Sequence, residues 1–168
     1  MRVCFHGAES TGKSALARRL AQEWGCPLVA EYGRTYAETI DTNFRIADLT
    51  AIAARQNRMM REACESGPPL VLLDTDPLMT AAWAEMLFGQ APTVLFGYDK
   101  AELYLLFEPD VPWVDDGTRF FGAAEERARF AALAEDMLRR AEVPYERVNG
   151  DWDERENKVR AAIARARG

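Results

Sequence analysis

The sequence is poor in histidine and cysteine, two residue types that carry much of enzyme chemistry. Its 168 residues include one histidine, His6, and three cysteines. A single histidine leaves no material for a histidine-rich metal site and argues against a Ser-His-Asp triad. Cys4, Cys26 and Cys64 are widely spaced and form no C-x-x-C pair. Neither a disulfide framework nor a zinc knuckle is predicted, and we expect the cysteines to be small buried side chains.

Long apolar runs and an excess of positive charge are also missing. No stretch approaches the ~20 apolar residues that span a bilayer, and the N-terminus does not resemble a secretion signal. Acidic residues outnumber basic ones by 27 to 21, for a net charge of −6. A nucleic-acid partner would need a local basic face, which the sequence does not show. We therefore expect a cytoplasmic protein with a small-molecule substrate and neither nucleic acid nor membrane as partner.

The composition and length are those of one globular domain, which we assign to residues 1–168. The sequence is 48% hydrophobic and 29% charged, close to globular averages. Short apolar runs alternate with segments of helical spacing, which predicts an α/β fold with a mostly parallel sheet. Strands are predicted at 2–5, 28–30, 70–74, 103–107 and 145–148, and helices at 15–24, 46–66 and 77–88, around 130–138, and around 159–166. The polar stretch after residue 30 is predicted to be a loop.

A G-x-x-x-x-G-K-[ST] pattern lies between the first predicted strand and the first predicted helix, which is the context of a P-loop. The glycines let the backbone curl so that N–H groups face phosphate oxygens. Lys13 would reach the β- and γ-phosphates, and Ser14 would offer its hydroxyl to Mg²⁺. We predict an ATP site with Mg²⁺ as the cofactor. Its residues are Gly7, Ala8, Glu9, Ser10, Thr11, Gly12, Lys13 and Ser14.

Two carboxylates, Asp74 and Asp76, follow the most apolar predicted strand. Ligand sites of open α/β sheets gather at the carboxyl ends of the strands. Asp74 fits the Walker B role of holding the metal ion together with Ser14. Asp76 is predicted to orient or deprotonate the hydroxyl group of an acceptor. In the alternative interpretation, Asp76 only caps the helix that begins at Pro77.

The arginines in the second half of the chain are interpreted either as catalytic or as surface charges. Arg119, on a glycine-containing loop, is predicted to close over the phosphoryl group during transfer, because a guanidinium can pair with its equatorial oxygens. Arg127 and Arg129 stand among glutamates on an amphipathic helix and are interpreted as surface charges. Arg155 belongs to a group of arginines in the last helix that we predict to form a solvated face.

A second cluster follows the second strand and suits an acceptor. Glu31 and Arg34 supply a carboxylate and a cation, and Tyr32 supplies a ring that could stack on a planar base. Trp113 offers a further ring. Packing in the core explains the presence of Tyr32 equally well, and the alternative for Trp113 is a hydrophobic loop pinned by the prolines before it.

Four motifs, taken together, resemble the ribosylnicotinamide kinase domain of NadR-type NAD-biosynthesis proteins. They are GAESTGKS at 7–14, EYGR at 31–34, DTDP at 74–77 and PWVDDGTR at 112–119. The resemblance covers most of the chain. It implies a P-loop kinase fold, with a five-stranded parallel sheet flanked by helices, and ATP-dependent phosphorylation of the ribose 5′-hydroxyl of nicotinamide riboside. It also implies lid roles for Asp116 and Arg119 and substrate-side roles for Glu31, Tyr32 and Arg34.

Two departures from that family limit what is carried over. The chain begins at the P-loop strand and has no H-x-G-H signature, so the family's adenylyltransferase activity is not expected. Ala30 stands where an aromatic residue often precedes the EYGR glutamate, so the base of the substrate must be recognised differently or the substrate is another one. The alternatives are a P-loop kinase for another nucleoside, nucleotide or sugar, and a regulatory NTPase switch. The switch is disfavoured because the N-K-x-D motif for guanine is missing.

Overall fold

The architecture follows from a computed structural model that describes residues 1–39, 43–112 and 123–168. No helix in these ranges is both long and apolar enough to cross a bilayer. A short 3₁₀ helix spans Thr93–Gly97. In chain order the other elements are β1 Arg2–Gly7, α1 Lys13–Trp24, β2 Leu28–Val29, α2 Tyr32–Thr39, α3 Ile46–Cys64, β3 Val71–Asp74, α4 Pro77–Phe88, β4 Leu103–Phe107, α5 Ala124–Arg140, β5 Tyr145–Val148 and α6 Trp152–Arg167.

The five strands form one sheet in the order β2-β3-β1-β4-β5, and every neighbouring pair is parallel. This confirms the predicted α/β fold and its five-stranded parallel sheet. Because all strands run the same way, their carboxyl ends meet at one edge. The loops that follow β1, β2 and β3 therefore lie side by side at that edge.

Helices cover both faces of the sheet. Successive side chains of a strand point to opposite faces, so Cys4 packs into the core under α3, α4 and α5, whereas Val3 and Phe5 pack into the core under α1 and α6. A sheet covered on both faces needs strands that are apolar throughout. All five residues of β4 are buried accordingly.

Helix α2 lies where the sequence analysis predicted a loop, and that prediction is wrong. Tyr32 and Tyr36 stand one turn apart, and their rings meet edge to face with centroids 6.4 Å apart. The Tyr36 hydroxyl donates a hydrogen bond of 3.0 Å to Asp48 on α3. Helical periodicity was not recognised because the helix has eight residues, none of them fully buried, and its contact with the core is made largely by these two partly buried rings.

Helix α4 begins at a buried carboxylate. Asp76 caps the helix, because its Oδ1 accepts a hydrogen bond of 3.0 Å from the Leu78 backbone N–H. Its Oδ2 accepts a bond of 2.5 Å from the Tyr104 hydroxyl, which itself accepts one of 3.2 Å from the Ala101 N–H. Burial raises the pKa of Asp76 to about 6, and the hydrogen bond from Tyr104 partly opposes this rise. The capping role that sequence analysis held as an alternative is therefore present.

Replacing Tyr104 with phenylalanine tests this buried pair. The change leaves Asp76 Oδ2 and the Ala101 N–H without their partner, which costs about 1–3 kcal/mol of the free energy of unfolding at pH 8. A raised pKa means that the folded state binds the proton more tightly, so protonation of Asp76 stabilises the fold at low pH and this contribution is lost as the pH rises through 6. Losing the hydrogen bond raises the pKa of Asp76 further. At pH 5 the carboxyl group is then largely protonated, so the loss of unfolding free energy should be smaller than at pH 8.

Urea unfolding at pH 5 and pH 8 measures both quantities. Tyr145→Phe is the matched control, since its hydroxyl donates to Glu135 at the partly exposed edge of the sheet and its loss should cost less than about 1 kcal/mol. An equal cost for Tyr104→Phe at both pH values would contradict the assignment of Asp76 as the titrating partner.

Candidate active site

The P-loop joins β1 to α1 and depends on left-handed backbone positions. Gly7, Ser10 and Gly12 have φ angles of 123°, 58° and 82°. A Cβ atom on Gly7 would lie 2.5 Å from the Phe107 carbonyl oxygen, and one on Gly12 would lie 2.2 Å from the Trp152 ring. Both positions therefore require glycine. Loops of this kind turn successive N–H groups toward an anion, and the N-terminus of α1 adds a favourable dipole.

The side chains of the P-loop fold inward. Lys13 is only 7% exposed, and its Nζ donates a hydrogen bond of 3.1 Å to the Ala8 carbonyl. The Thr11 hydroxyl donates to the same carbonyl at 2.9 Å. Ser14 lies in the first turn of α1 and is half-buried. The loop thus places one buried cation and one hydroxyl at the start of the helix.

The residues beside the P-loop fit a magnesium ion. Asp74 ends β3 and pairs in register with Phe5 of β1, so its carboxylate follows the strand next to the loop. Its Oδ1 is buried, and no hydrogen-bond partner for this atom lies within the described ranges. Hard oxygen donors are what Mg²⁺ prefers. Asp74 and the Ser14 hydroxyl therefore form a suitable donor set.

Glu31 is a carboxyl group whose pKa this environment raises. It follows β2 and is partly buried in a cavity beside the P-loop. Burial, together with the negative charges of Asp74 and Glu9, raises the pKa of Glu31 to about 7, whereas the positive charges of Lys13 and Arg34 oppose the rise. A carboxylate with this pKa can accept a proton near neutral pH.

The lining of the cavity combines polar side chains with apolar and aromatic ones. Glu31 and Arg34, which the sequence suggests as acceptor-side residues, are among the polar side chains, whereas the Tyr32 ring packs against the core. The apolar and aromatic part of the lining, here called the aromatic wall, has no signature in the sequence, because α4 is apolar at nearly every position and nothing marks Trp83 as different from its neighbours. The lining of this wall includes Phe44, Ile52, Met79 and Trp83.

Three predicted site residues, Trp113, Asp116 and Arg119, lie outside the described residues. Their roles stay predictions.

A second cavity adjoins the P-loop at the start of α6. It is lined by Thr11, Gly12, Leu16, Phe107, Trp152 and Arg155, among others. The Trp152 ring is 60% exposed and lies against the Gly12 backbone. An exposed indole beside a phosphate-binding loop suits the stacking of a nucleotide base.

Arg155 is buried, so its predicted place on a solvated face is wrong. Its side chain is 1% exposed and forms an ion pair with Asp110. It also donates to the carbonyls of Gly150 at 2.8 Å, Glu108 at 3.1 Å and Thr11 at 3.3 Å. One guanidinium thus ties the ends of β4 and β5 to the P-loop.

Arg127 is buried as well, and the interpretation of it as a surface charge is also wrong. Its guanidinium donates to the Val111 carbonyl at 2.7 Å and to the Ser10 carbonyl at 3.3 Å. Arg129, two residues further along α5, is exposed as predicted. A pattern of charges along a helix does not show which of them turns inward.

Comparisons with known proteins agree with this geometry. A family model described as an AAA domain, AAA_28, matches residues 2–155. The trifunctional NAD biosynthesis/regulator protein NadR of Escherichia coli (strain K12) is 30% identical over 161 residues, which cover 91% of this chain and 39% of that protein. The chain therefore spans about two fifths of the length of this curated relative.

Two crystal structures of NadR protein have the same fold. The one in complex with NR has a TM-score of 0.80 and 24% identity, with 97% of this chain and 50% of that chain covered. The one in complex with NAD and AMP-PNP has a TM-score of 0.74 and 23% identity, with 99% and 49% covered. The resemblance seen in the motifs is thus confirmed. Because the family model extends from the first strand to Arg155, the chain belongs to the AAA_28 family of AAA domains.

Proposed function

We propose that this chain is an ATP-dependent kinase that phosphorylates the ribose 5′-hydroxyl of nicotinamide riboside to give nicotinamide mononucleotide. The observation that carries the proposal is a P-loop next to a separate cavity whose lining includes Glu31, a carboxyl group with a raised pKa. The similarity to NadR, a protein of NAD biosynthesis that has been solved with NR, supports this choice of acceptor.

On the donor side, the P-loop binds the phosphates of ATP. Lys13 stabilises the negative charge of the transferring group, and Trp152 stacks on the base. Ser14 and Asp74 hold Mg²⁺, which when bound offsets charge on the phosphate oxygens. The chain's own contribution is to position donor and acceptor and to stabilise charge, because phosphoryl transfer needs little covalent participation by the protein.

On the acceptor side, Glu31 accepts the proton of the 5′-hydroxyl as the hydroxyl oxygen attacks the γ-phosphorus. The bond from that phosphorus to the oxygen bridging the β- and γ-phosphates breaks, and ADP is the leaving group. Asp76, to which sequence analysis gave this role, is 1% exposed, and its two oxygens already accept hydrogen bonds from Leu78 and Tyr104. Its catalytic role stays a prediction, and these contacts favour Glu31.

The aromatic wall recognises the base. The nicotinamide ring of the riboside is a pyridinium cation, and a cation placed over an indole face is attracted by the ring's quadrupole. Trp83 and Phe44 line the cavity and replace the ring that is missing at Ala30. The carboxylates of Glu9 and Glu31 add attraction for a positive ligand.

The first test is ADP release from ATP and Mg²⁺ in a coupled assay, with nicotinamide riboside, with a panel of neutral nucleosides, or with no acceptor. Nicotinamide riboside should raise the rate at least about tenfold, because the hydroxyl nucleophile is then in place. Lys13→Ala should lower the stimulated rate by about 10²-fold or more, since it removes charge stabilisation in the transition state.

Lys158→Ala is the control, since this lysine is exposed and bonds to Asn149; it should keep the wild-type rate. If a neutral nucleoside raises the rate and nicotinamide riboside does not, nicotinamide riboside is not the acceptor, but the protein is still a kinase. Fast ATP hydrolysis without any acceptor would instead support the regulatory switch.

The second test compares Glu31→Gln with Asp76→Asn. If Glu31 is the base, its ionised form is required, so kcat/KM for nicotinamide riboside should rise with pH up to about 7, the raised pKa, and then level off. Glu31→Gln should lower kcat by about 10²–10⁴-fold and abolish this rise. Asp76→Asn should keep the rise and most of the turnover, because asparagine also caps helices well.

The pH dependence of both variants is measured below their unfolding temperatures. Loss of turnover in Asp76→Asn, with normal turnover in Glu31→Gln, would return the role of base to Asp76.

A further inference from the structure

Strands β2 and β3 stop pairing near the two carboxylates of the site, Glu31 after β2 and Asp74 at the end of β3. Their register pairs Leu28 with Leu72 and Val29 with Leu73, so continuing it would place Glu31 opposite Thr75. The strands end before that level, at Val29 and Asp74. Thr75 has a φ of 72°, a left-handed conformation that is rare for a β-branched residue and turns the chain away from the strand direction.

The side chain of Gln56, on α3, fills the gap. Its Oε1 accepts a hydrogen bond of 2.8 Å from the Tyr32 N–H, and its Nε2 donates one of 3.2 Å to the Ala30 carbonyl. These two backbone groups flank Glu31, and they are the pair that a neighbouring parallel strand would bind. The same Nε2 donates at 3.4 Å to the Thr75 carbonyl on the other side of the gap. The amide thus takes the place of a missing peptide group in the sheet.

Both amide hydrogens and the carbonyl oxygen of Gln56 are used in these bonds. The residue is 2% exposed and lines the acceptor cavity. Thr75 follows Asp74 directly. The Gln56 side chain is therefore bonded both to the segment that carries Glu31 and to the segment that carries Asp74.

We propose that Gln56 is a positioning residue that fixes the separation between Glu31 and Asp74 and so aligns the acceptor hydroxyl with the phosphate to be transferred. This inference rests on the proposed kinase function. Gln56 acts mainly through Glu31, because two of its three hydrogen bonds go to the backbone groups that flank Glu31, whereas the P-loop is shaped by contacts from Arg127 and Arg155. A small misplacement of reacting groups lowers a rate by about 10²-fold.

Asn57, the next residue of α3, offers a matched control. It is also buried, at 5% exposure, and its Oδ1 accepts a hydrogen bond of 3.1 Å from the Asp99 N–H. Removing this buried side-chain amide breaks its hydrogen bond and disturbs the same helix, without involving the end of β2 or of β3.

The test compares Gln56→Met with Asn57→Leu, each of which replaces an amide by an apolar side chain of similar size. Thermal unfolding and the full steady-state kinetics are measured for both. Gln56→Met should lower kcat/KM for nicotinamide riboside by about 10²-fold and leave KM for ATP within about twofold. Asn57→Leu should lower the unfolding temperature yet keep both kinetic parameters within about twofold.

A double-mutant cycle with Glu31→Gln separates positioning from general damage. If Gln56 acts through Glu31, adding Gln56→Met to Glu31→Gln should cost less than about threefold, because the group it positions is already gone. A full 10²-fold loss in that background would overturn the proposal, and so would wild-type kinetics for Gln56→Met.

Gln56→Glu covers the case in which the methionine variant does not fold. It keeps the acceptor for the Tyr32 N–H, loses the two donated bonds, and should show a loss of kcat/KM with ATP binding intact. If neither Gln56 variant folds while Asn57→Leu does, the amide is purely structural and the proposal is overturned. If the wild-type protein phosphorylates no acceptor, the proposed function itself fails; an active wild type with an unaffected Gln56 variant sinks this inference alone.

Discussion

The whole candidate active site depends on how the P-loop backbone is held in its left-handed conformation. A loop that turns its N–H groups toward phosphate must satisfy its carbonyls elsewhere, because a buried backbone carbonyl without a partner is costly. Here two buried guanidiniums do this: Arg127 binds the Ser10 carbonyl and Arg155 binds the Thr11 carbonyl. Burying a charge is costly as well, and Arg155 offsets this cost with the Asp110 carboxylate and several carbonyls.

The acceptor side uses a different device, a side-chain amide that joins two backbone segments, each of which carries a carboxylate. β2 and β3 diverge, Thr75 takes a strained conformation, and the Gln56 amide spans the opening. Polar groups of this kind rigidify a site when every donor and acceptor is used. The result is a partly buried Glu31 whose pKa, at about 7, suits proton transfer at neutral pH.

Much of the fold was predictable, because the spacing of apolar residues along the chain indicates which segments form strands and which form helices. Helix 77–88 and the strands 103–107 and 145–148 have the predicted bounds, since a proline stands at or just before the start of the helix and of the last strand, and 103–107 is a continuous apolar run. Helix α2 was missed because eight residues with two partly buried rings show too little periodicity. The inward turn of Arg127 and Arg155 was also missed, because most of their partners are backbone carbonyls, which leave no mark on the sequence.

By itself the sequence determined the P-loop and the order along the chain of the strands and of the helices other than α2. Both depend on local rules: a glycine where φ must be positive, an apolar run where both faces of a strand are covered. Tertiary structure alone decided that Asp76 is buried and bonded to the Tyr104 hydroxyl, that Trp83 and Phe44 belong to the aromatic wall, and that Gln56 joins two strand ends. Each of these depends on groups brought together from distant parts of the chain, and a side chain's environment is set by what packs against it, which is not a property of its neighbours in sequence.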